Sequence, residues 1–168
     1  KVTKEELNRQ RYLYPLEAVG AGDSTLAKAY ERDALTMIPT KSKLMPHARE
    51  VLEYLSRKYN LYILSNGFKE LQSHKMRSSG IDEYFKKVVL SDDIGILKPW
   101  PEIFHFALST TQSELNNSLM IGDSWENDIV GAAGVGMHQV FYNLSGRIDL
   151  PFAPTYQITD LKDLFNFL

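Results

Sequence analysis

The sequence predicts an α/β fold in which a parallel β-sheet is covered by helices on both faces. Two observations predict it. From Leu44 onward, short apolar runs alternate with helical patterns, and turn-forming residues separate the two kinds of segment. This alternation is typical of parallel sheets with helices packed on each side. We therefore expect one layered domain over residues 44–168.

Five apolar segments are the strand candidates, and helical patterns lie between them. They are residues 61–64, 87–90, 119–122, 139–142 and 156–158. Pro46 and Pro101 suit the first turns of helices. Gly80 can end the helix that precedes the second strand. A terminal helix is expected through Leu161 and Leu164.

Residues 1–43 differ from the rest because they show helical periodicity without a buried strand. A capping-box spacing that begins at Thr3 predicts a helix, and Pro15 discourages its continuation. A second helix is predicted to begin near Asp23. This part of the chain is therefore expected to be helical only.

The composition favours a soluble globular protein. The 168 residues have a formal net charge of -2 and interspersed charges, so no basic stripe for nucleic acid is present. The absence of cysteine excludes disulfides, thiolate metal sites and thiol nucleophiles. No run approaches the roughly 20 apolar residues of a membrane span. We expect a cytoplasmic protein that binds neither nucleic-acid polymers nor membranes.

Two carboxylates follow the strand at 119–122. Ligands of a parallel sheet bind at the carboxyl ends of its strands, and Asp123 lies directly at such an end. Its hard oxygen suits magnesium. Asp128, about one helical turn later, could return to the same cleft and orient a lysine or a metal-bound water. Alternatively, both are acids that cap or favour the start of a helix.

A hydroxyl and a lysine are the other candidates. Ser65 ends the strand at 61–64, and its hydroxyl with the amides of Asn66 and Gly67 would form a small anion-binding concavity. Lys98 lies in a loop that contains glycine and proline, where a fixed cation could neutralise a phosphoryl group. Alternatively, Ser65 is a turn serine and Lys98 is a solvated lysine.

In chain order, the polar clusters form a recognisable series. They read Ser-Asn-Gly after a strand, then Gly-Ile-Leu-Lys-Pro-Trp-Pro-Glu-Ile-Phe, then Met-Ile-Gly-Asp-Ser-Trp-Glu-Asn-Asp-Ile-Val-Gly-Ala. The series resembles motifs two, three and four of the haloacid dehalogenase-like hydrolases and covers nearly all of residues 44–142. The resemblance implies a Rossmann-like core at 44–168, with a parallel sheet flanked by helices. Residues 1–43 look like part of the helical cap that family members insert after their first motif.

The resemblance also implies magnesium-dependent phosphoryl transfer. By it, Ser65 binds the transferring phosphoryl group, Lys98 stabilises its charge and the nucleophile, Asp123 ligates Mg²⁺, and Asp128 supports the lysine and the metal shell. The Lys-Pro-x-Pro-Glu-Ile-Phe form of the third motif is most similar to the pyrimidine 5'-nucleotidase branch, which hydrolyses nucleoside 5'-monophosphates. The expected partner is therefore a small phosphorylated metabolite or nucleotide.

The family's first motif, an apolar strand that ends in Asp-x-Asp, is not found in the 168 residues. In the family, its first aspartate attacks phosphorus and its second acts as general acid and base. Asp23 follows no strand, Asp92-Asp93 has the wrong spacing, and Asp160 lies in a helical pattern. We therefore expect an N-terminal truncation and a chain that is inactive as given.

In the family, that first strand lies in the middle of the sheet, between the segments at 61–65 and 119–122. Without it, both neighbours lose ladder partners, at about 1–3 kcal/mol for each buried group left unpaired. We expect another segment, a second copy of the chain, or direct pairing of the two neighbours to complete the sheet. A homo-oligomer with exchanged strands is one such arrangement.

Two other functions stay open from the sequence. A noncatalytic module of this fold would bind a phosphorylated ligand or another protein, although retention of Ser65, Lys98, Asp123 and Asp128 argues against a long loss of function. A dehalogenase of the same fold needs no magnesium. Asp123 followed by Ser124 favours the phosphatase over the dehalogenase.

Overall fold

The computed structural model describes residue 6 and residues 9–37, 40–67 and 69–168. The chain divides into two compact units: Lys1–Ser42 with Glu70–Gly80, and Lys43–Lys69 with Ile81–Leu168. Over these described ranges, no helix is both long enough and apolar enough to cross a membrane. The division of the chain into a cap at 1–43 and a core at 44–168 stays a prediction.

The first unit contains helices. A π-helical turn, Arg9–Leu13, runs directly into α1, Tyr14–Ala18, and α2 spans Ser24–Met37. The expected start of the first helix near Thr3 lies outside the described residues. Its expected end before Pro15 is wrong, because helical structure continues through Pro15 to Ala18, with the proline in the first turn of α1, where proline is tolerated.

The second unit contains the five predicted strands. They are β1 Leu61–Ser65, β2 Phe85–Leu90, β3 Leu119–Gly122, β4 His138–Tyr142 and β5 Tyr156–Ile158. The helices are α3 Ala48–Ser56, α4 Lys69–Ser79 (most of it in the first unit), α5 Ser91–Ile94, α6 Pro101–Thr111 and α7 Gly131–Gly134. A π-helical turn, Trp125–Val130, precedes α7, and the 3-10 segments are Asp82–Tyr84, Leu115–Asn117 and Leu161–Asn166.

The strands form two parallel sheets. β1 pairs with β2, so that Ile63 lies opposite Val88. The second sheet has the order β3-β4-β5, with Ile121 opposite Val140. The α/β fold class with parallel strands and flanking helices is confirmed. In the described part of the chain, β1 and β3 do not pair with each other, so direct pairing of these two strands is wrong.

Side chains, rather than a backbone ladder, join the two sheets. One apolar cluster includes Leu55 and Val140, and Leu61 of β1 and Ile121 of β3 pack against it. A second cluster is built on four buried side chains and receives Leu64 of β1 and Met120 of β3; the four are Ile103, Phe104, Ala132 and Met137. Because side chains alternate across a strand, the two clusters lie on opposite faces. Both sheets therefore share one double-sided core.

Gly131 allows the start of α7 to approach α6 closely. A Cβ atom at this position would lie 2.6 Å from the ring of Phe104 and 3.0 Å from the Cα of Pro99. Phe104 is fully buried, so its ring has no solvent-filled space into which it can move. The close packing of this face therefore depends on the missing side chain.

We predict that Gly131→Ala lowers the free energy of unfolding by about 1–3 kcal/mol through overpacking. Gly134→Ala is the matched control, because a Cβ at position 134 meets nothing within 4 Å. That variant should be neutral or stabilised by up to about 1 kcal/mol. Urea unfolding of both variants measures the difference, and equal stabilities would contradict the close packing at Gly131.

Candidate active site

Lys98 connects the carboxyl ends of the two sheets. Its Nζ donates a hydrogen bond to Oδ1 of Asp128 at 2.5 Å and another to the backbone oxygen of Leu64 at 2.9 Å. Leu64 lies near the end of β1, and Asp128 lies in the turn that follows β3. The side chains of Lys98 and Asp128 are only 10% and 7% exposed. The structure thus brings two of the predicted site residues into a nearly buried ion pair.

The turn after β3 holds one carboxylate oxygen of Asp128, and Lys98 holds the other. Oδ2 accepts a hydrogen bond from the backbone N–H of Ser124 at 3.1 Å. The Ser124 hydroxyl in turn caps the turn, because its Oγ accepts from the backbone N–H of Asn127 at 3.3 Å and from Nδ2 of Asn127 at 2.9 Å. The N–H groups of Asp128 and Ile129 both donate to the Ser124 carbonyl, at 2.9 Å and 3.3 Å. The local hydrogen bonds of the turn therefore fix the anion that faces Lys98.

Gly122 is required by the same carboxylate. A Cβ atom at position 122 would overlap the carboxyl group of Asp128. The last residue of β3 therefore has no side chain because Asp128 packs directly against its backbone. In the sequence, Gly122 stood out only as part of a motif, although a glycine directly before Asp123 is a signal of such close approach.

The residues at the end of β1 form hydrogen bonds within the protein that the sequence did not predict. Oγ of Ser65 accepts a hydrogen bond from the backbone N–H of Gly67 at 3.0 Å. Oδ1 of Asn66 accepts from the backbone N–H of Lys98 at 2.7 Å, and Nδ2 of Asn66 donates to the Lys98 carbonyl at 3.1 Å. The Gly67 amide and the Asn66 side chain thus have partners within the protein. Phosphate binding by Ser65, Asn66 and Gly67 stays a prediction.

Asp123 is the candidate metal ligand. It is exposed and directly precedes Ser124, whose N–H contacts Asp128. Across the described ranges, no three His, Cys, Asp or Glu side chains form a cluster of metal ligands. Magnesium is commonly held by one or two protein carboxylates together with waters and substrate phosphate oxygens. The exposed carboxylate of Asp123, one residue before Ser124, suits such an ion, and magnesium binding stays a prediction.

Aromatic packing anchors the turn that follows β3. The buried ring of Trp125 lies 5.2 Å from the ring of Phe141 and 4.9 Å from that of Phe152. The guanidinium of Arg147 lies over the Trp125 ring at 5.6 Å, and it donates a hydrogen bond to Oε1 of Glu126 at 2.8 Å. That hydrogen bond lowers the pKa of Glu126. Trp125 is therefore a packing residue, and Arg147 ties the turn to the loop after β4.

A model of the family described as "Hydrolase: haloacid dehalogenase-like hydrolase" matches residues 4–136. The chain belongs to the haloacid dehalogenase-like hydrolases. The resemblance that the motifs at Ser65, Lys98 and Asp123 suggested is thus confirmed. The match includes the turn that carries Asp128.

Several relatives are similar over most of this chain. The HAD-hydrolase YfnB of Bacillus subtilis is 29% identical over 100% of this chain and 72% of its own length. A crystal structure of YfnB bound to magnesium has a TM-score of 0.87 and 27% identity, and covers 98% of this chain and 71% of that one. Two others are named pyrimidine 5'-nucleotidases. YjjG of Escherichia coli is 31% identical over 74% of this chain and 56% of its own length, and PynA of Streptococcus pneumoniae is 28% identical over 100% and 71%.

This chain corresponds to only part of each of these relatives. The chain spans only 56% of YjjG, and 71–72% of PynA and YfnB. The relatives therefore contain residues with no counterpart in this chain. The activity and substrates of these relatives are therefore not assigned to this chain on similarity alone.

The Lys98–Asp128 pair generates a stability prediction. Lys98→Met leaves a buried carboxylate without its cation, and Asp128→Leu leaves the cation without its anion, so each should destabilise the fold by about 3–5 kcal/mol. The double variant should lose less than the sum, because neither charge is then left unpaired. Urea unfolding of wild type, the two single variants and the double variant measures the coupling energy, and strictly additive losses would contradict it.

Arg32→Met is the control. The side chains of the Arg32–Asp33 pair are 75% and 57% exposed, so loss of this pair should lower the free energy of unfolding by less than about 1 kcal/mol.

The Glu126–Arg147 pair generates a pH prediction. The folded pKa of Glu126 is lowered, so the pair stabilises the fold above the unfolded pKa. That contribution is lost as the pH falls through the folded pKa. Arg147→Gln should raise the pKa of Glu126 in an NMR titration. The difference in urea midpoint between wild type and variant should shrink from neutral to strongly acid pH; an unchanged difference would assign the effect to the contact with Trp125 instead.

Proposed function

We propose that this chain forms most of a magnesium-dependent phosphatase that hydrolyses small phosphomonoesters, with nucleoside 5'-monophosphates as the favoured class. The observation that carries the proposal is the nearly buried Lys98 ammonium at the carboxyl ends of β1 and β3. Membership of the hydrolase family and two relatives named as pyrimidine 5'-nucleotidases support it. The reaction proceeds through an aspartyl-phosphate whose nucleophile lies outside these 168 residues.

Lys98 supplies fixed positive charge. Phosphoryl transfer spreads negative charge over the oxygens of the transferring group, and a preorganised cation stabilises that charge without rearranging during the reaction. An ammonium has three N–H donors. Among the contacts of the described residues, Asp128 and Leu64 accept two of them. The third is assigned to a phosphoryl oxygen.

Ser65 and Asp123 complete the assignment. The Ser65 hydroxyl donates to a second phosphoryl oxygen, and the Asp123 carboxylate, with waters and the substrate, is the group that would hold Mg²⁺. When bound, the ion neutralises charge on the phosphoryl oxygens and so eases attack by an anionic carboxylate. Asp128 keeps Lys98 oriented in this scheme.

The covalent steps use the two aspartates of the family's first motif, Asp-x-Asp. The nucleophilic carboxylate forms a bond to phosphorus as the bond to the ester oxygen breaks, and a neighbouring acid protonates the departing alcohol. The conjugate base of that acid then takes a proton from water as the water oxygen attacks phosphorus; the bond between phosphorus and the carboxylate breaks, inorganic phosphate leaves, and both side chains are restored.

A noncatalytic module of the same fold, which keeps the Lys98–Asp128 pair at the ends of β1 and β3, is the second candidate. In that case, the Lys98 region binds a phosphorylated ligand without turnover.

Phosphate release from a panel of nucleoside 5'-monophosphates and sugar phosphates separates the candidates. The chain as given should release none. A version extended upstream to include an apolar strand and Asp-x-Asp should release phosphate with Mg²⁺ and lose activity with a chelator. In the extended version, Lys98→Met should lower kcat by about 10²–10³-fold. Inactivity of both versions would sink the phosphatase and support the binding module, whereas halide release from a haloacid would support the dehalogenase.

A further inference from the structure

The side chain of Asn66 forms two reciprocal hydrogen bonds with the backbone of Lys98. Its carbonyl oxygen accepts from the Lys98 N–H at 2.7 Å, and its amide nitrogen donates to the Lys98 carbonyl at 3.1 Å. Both residues are half-buried. A side-chain amide thus matches the donor and the acceptor of one backbone residue, as a neighbouring strand would.

The Lys98 backbone lies in a loop, outside the helices and strands of the described residues. It belongs to the loop between α5 and α6, after Gly95, which has a φ of 69°, and directly before Pro99. The adjacent backbone hydrogen bond of this loop runs from Trp100 N–H to Leu97 O at 3.1 Å and does not involve Lys98. Partly buried backbone groups need partners. Asn66 supplies both.

We propose that Asn66 is a positioning residue that holds Lys98 in place for phosphoryl transfer. A lysine has a flexible four-carbon stem, so its ammonium is fixed only if both ends of the side chain are held. Asn66 holds the backbone end, while Leu64 O and Asp128 hold Nζ. The inference rests on the proposed function, because it assigns Asn66 a role in that same reaction.

The arrangement also sets the spacing between the cation and the hydroxyl. Leu64, Ser65 and Asn66 are consecutive: the first accepts from the Lys98 ammonium, the second presents the hydroxyl, and the third holds the Lys98 backbone. The end of β1 therefore fixes Lys98 relative to Ser65 through three adjacent residues. A misplacement of about 1 Å between catalytic groups can cost about 10²-fold in rate.

Amide hydrogen exchange tests the contact in the 168-residue chain. Asn66→Ala removes the acceptor of the Lys98 N–H, so exchange of that amide should accelerate by about tenfold. Asn66→Asp retains an acceptor oxygen and should keep the amide protected. Asn117→Ala, which removes an exposed amide bonded to Glu114, is the control and should leave Lys98 exchange unchanged. Unchanged exchange in Asn66→Ala would overturn the proposal.

Kinetics of the upstream-extended protein test the role. Asn66→Ala should lower kcat by about 10–100-fold with a smaller change in KM, and Asn117→Ala should change neither. In a Lys98→Met background, Asn66→Ala should have little further effect, because it acts through the lysine. A raised KM with unchanged kcat, or an undiminished effect in that background, would make Asn66 a substrate contact and overturn the proposal.

The exchange and kinetic experiments distinguish failure of the proposed function from failure of the role proposed for Asn66. If the extended protein hydrolyses no phosphomonoester, the proposed function fails, and with it the role of Asn66 in catalysis. The exchange arm then still decides whether Asn66 holds the Lys98 backbone. If the protein is active and Lys98 exchange responds as expected, the kinetic arm alone decides the role.

Discussion

The nearly buried ion pair between Lys98 and Asp128 is the constraint on which the site depends. A charge removed from water is tolerated only when its partners replace the lost hydration. Here, the carboxylate is met by an ammonium and a backbone N–H, and the ammonium is met by that carboxylate and the Leu64 carbonyl. The pair therefore determines where glycine, serine and the loop backbone must lie around it.

The neighbouring residues can be understood as requirements of that pair. Gly122 has no side chain because the carboxylate occupies the space of its Cβ, and Ser124 both caps the turn and donates its N–H to Asp128. Asn66 holds the lysine from the other side. Residues that belong to motifs in the sequence thus have separate structural roles in the folded chain.

Local pattern predicted the strands and the family because each depends on residues that are adjacent in sequence. Apolar runs placed β1 to β5 to within about two residues, and the three motifs identified the hydrolase family. The two hydrogen bonds between the Asn66 side chain and the Lys98 backbone were missed because residues 32 positions apart reveal such a pairing only after folding. The Leu64 carbonyl was missed because a backbone oxygen leaves no trace in residue type. The helical end at Pro15 was misplaced because proline ends a helix only outside the first turn.

The joining of two sheets by side chains has a mechanical consequence. A ladder of backbone hydrogen bonds resists sliding because each bond is directional, whereas apolar contact is non-directional and tolerates small displacements. β1 and β3 share apolar clusters but no ladder. Within the described residues, the hydrogen bonds of Lys98 to Leu64 and Asp128 add directional contacts between the end of β1 and the turn after β3, so the lysine resists shear between them as well as supplying charge.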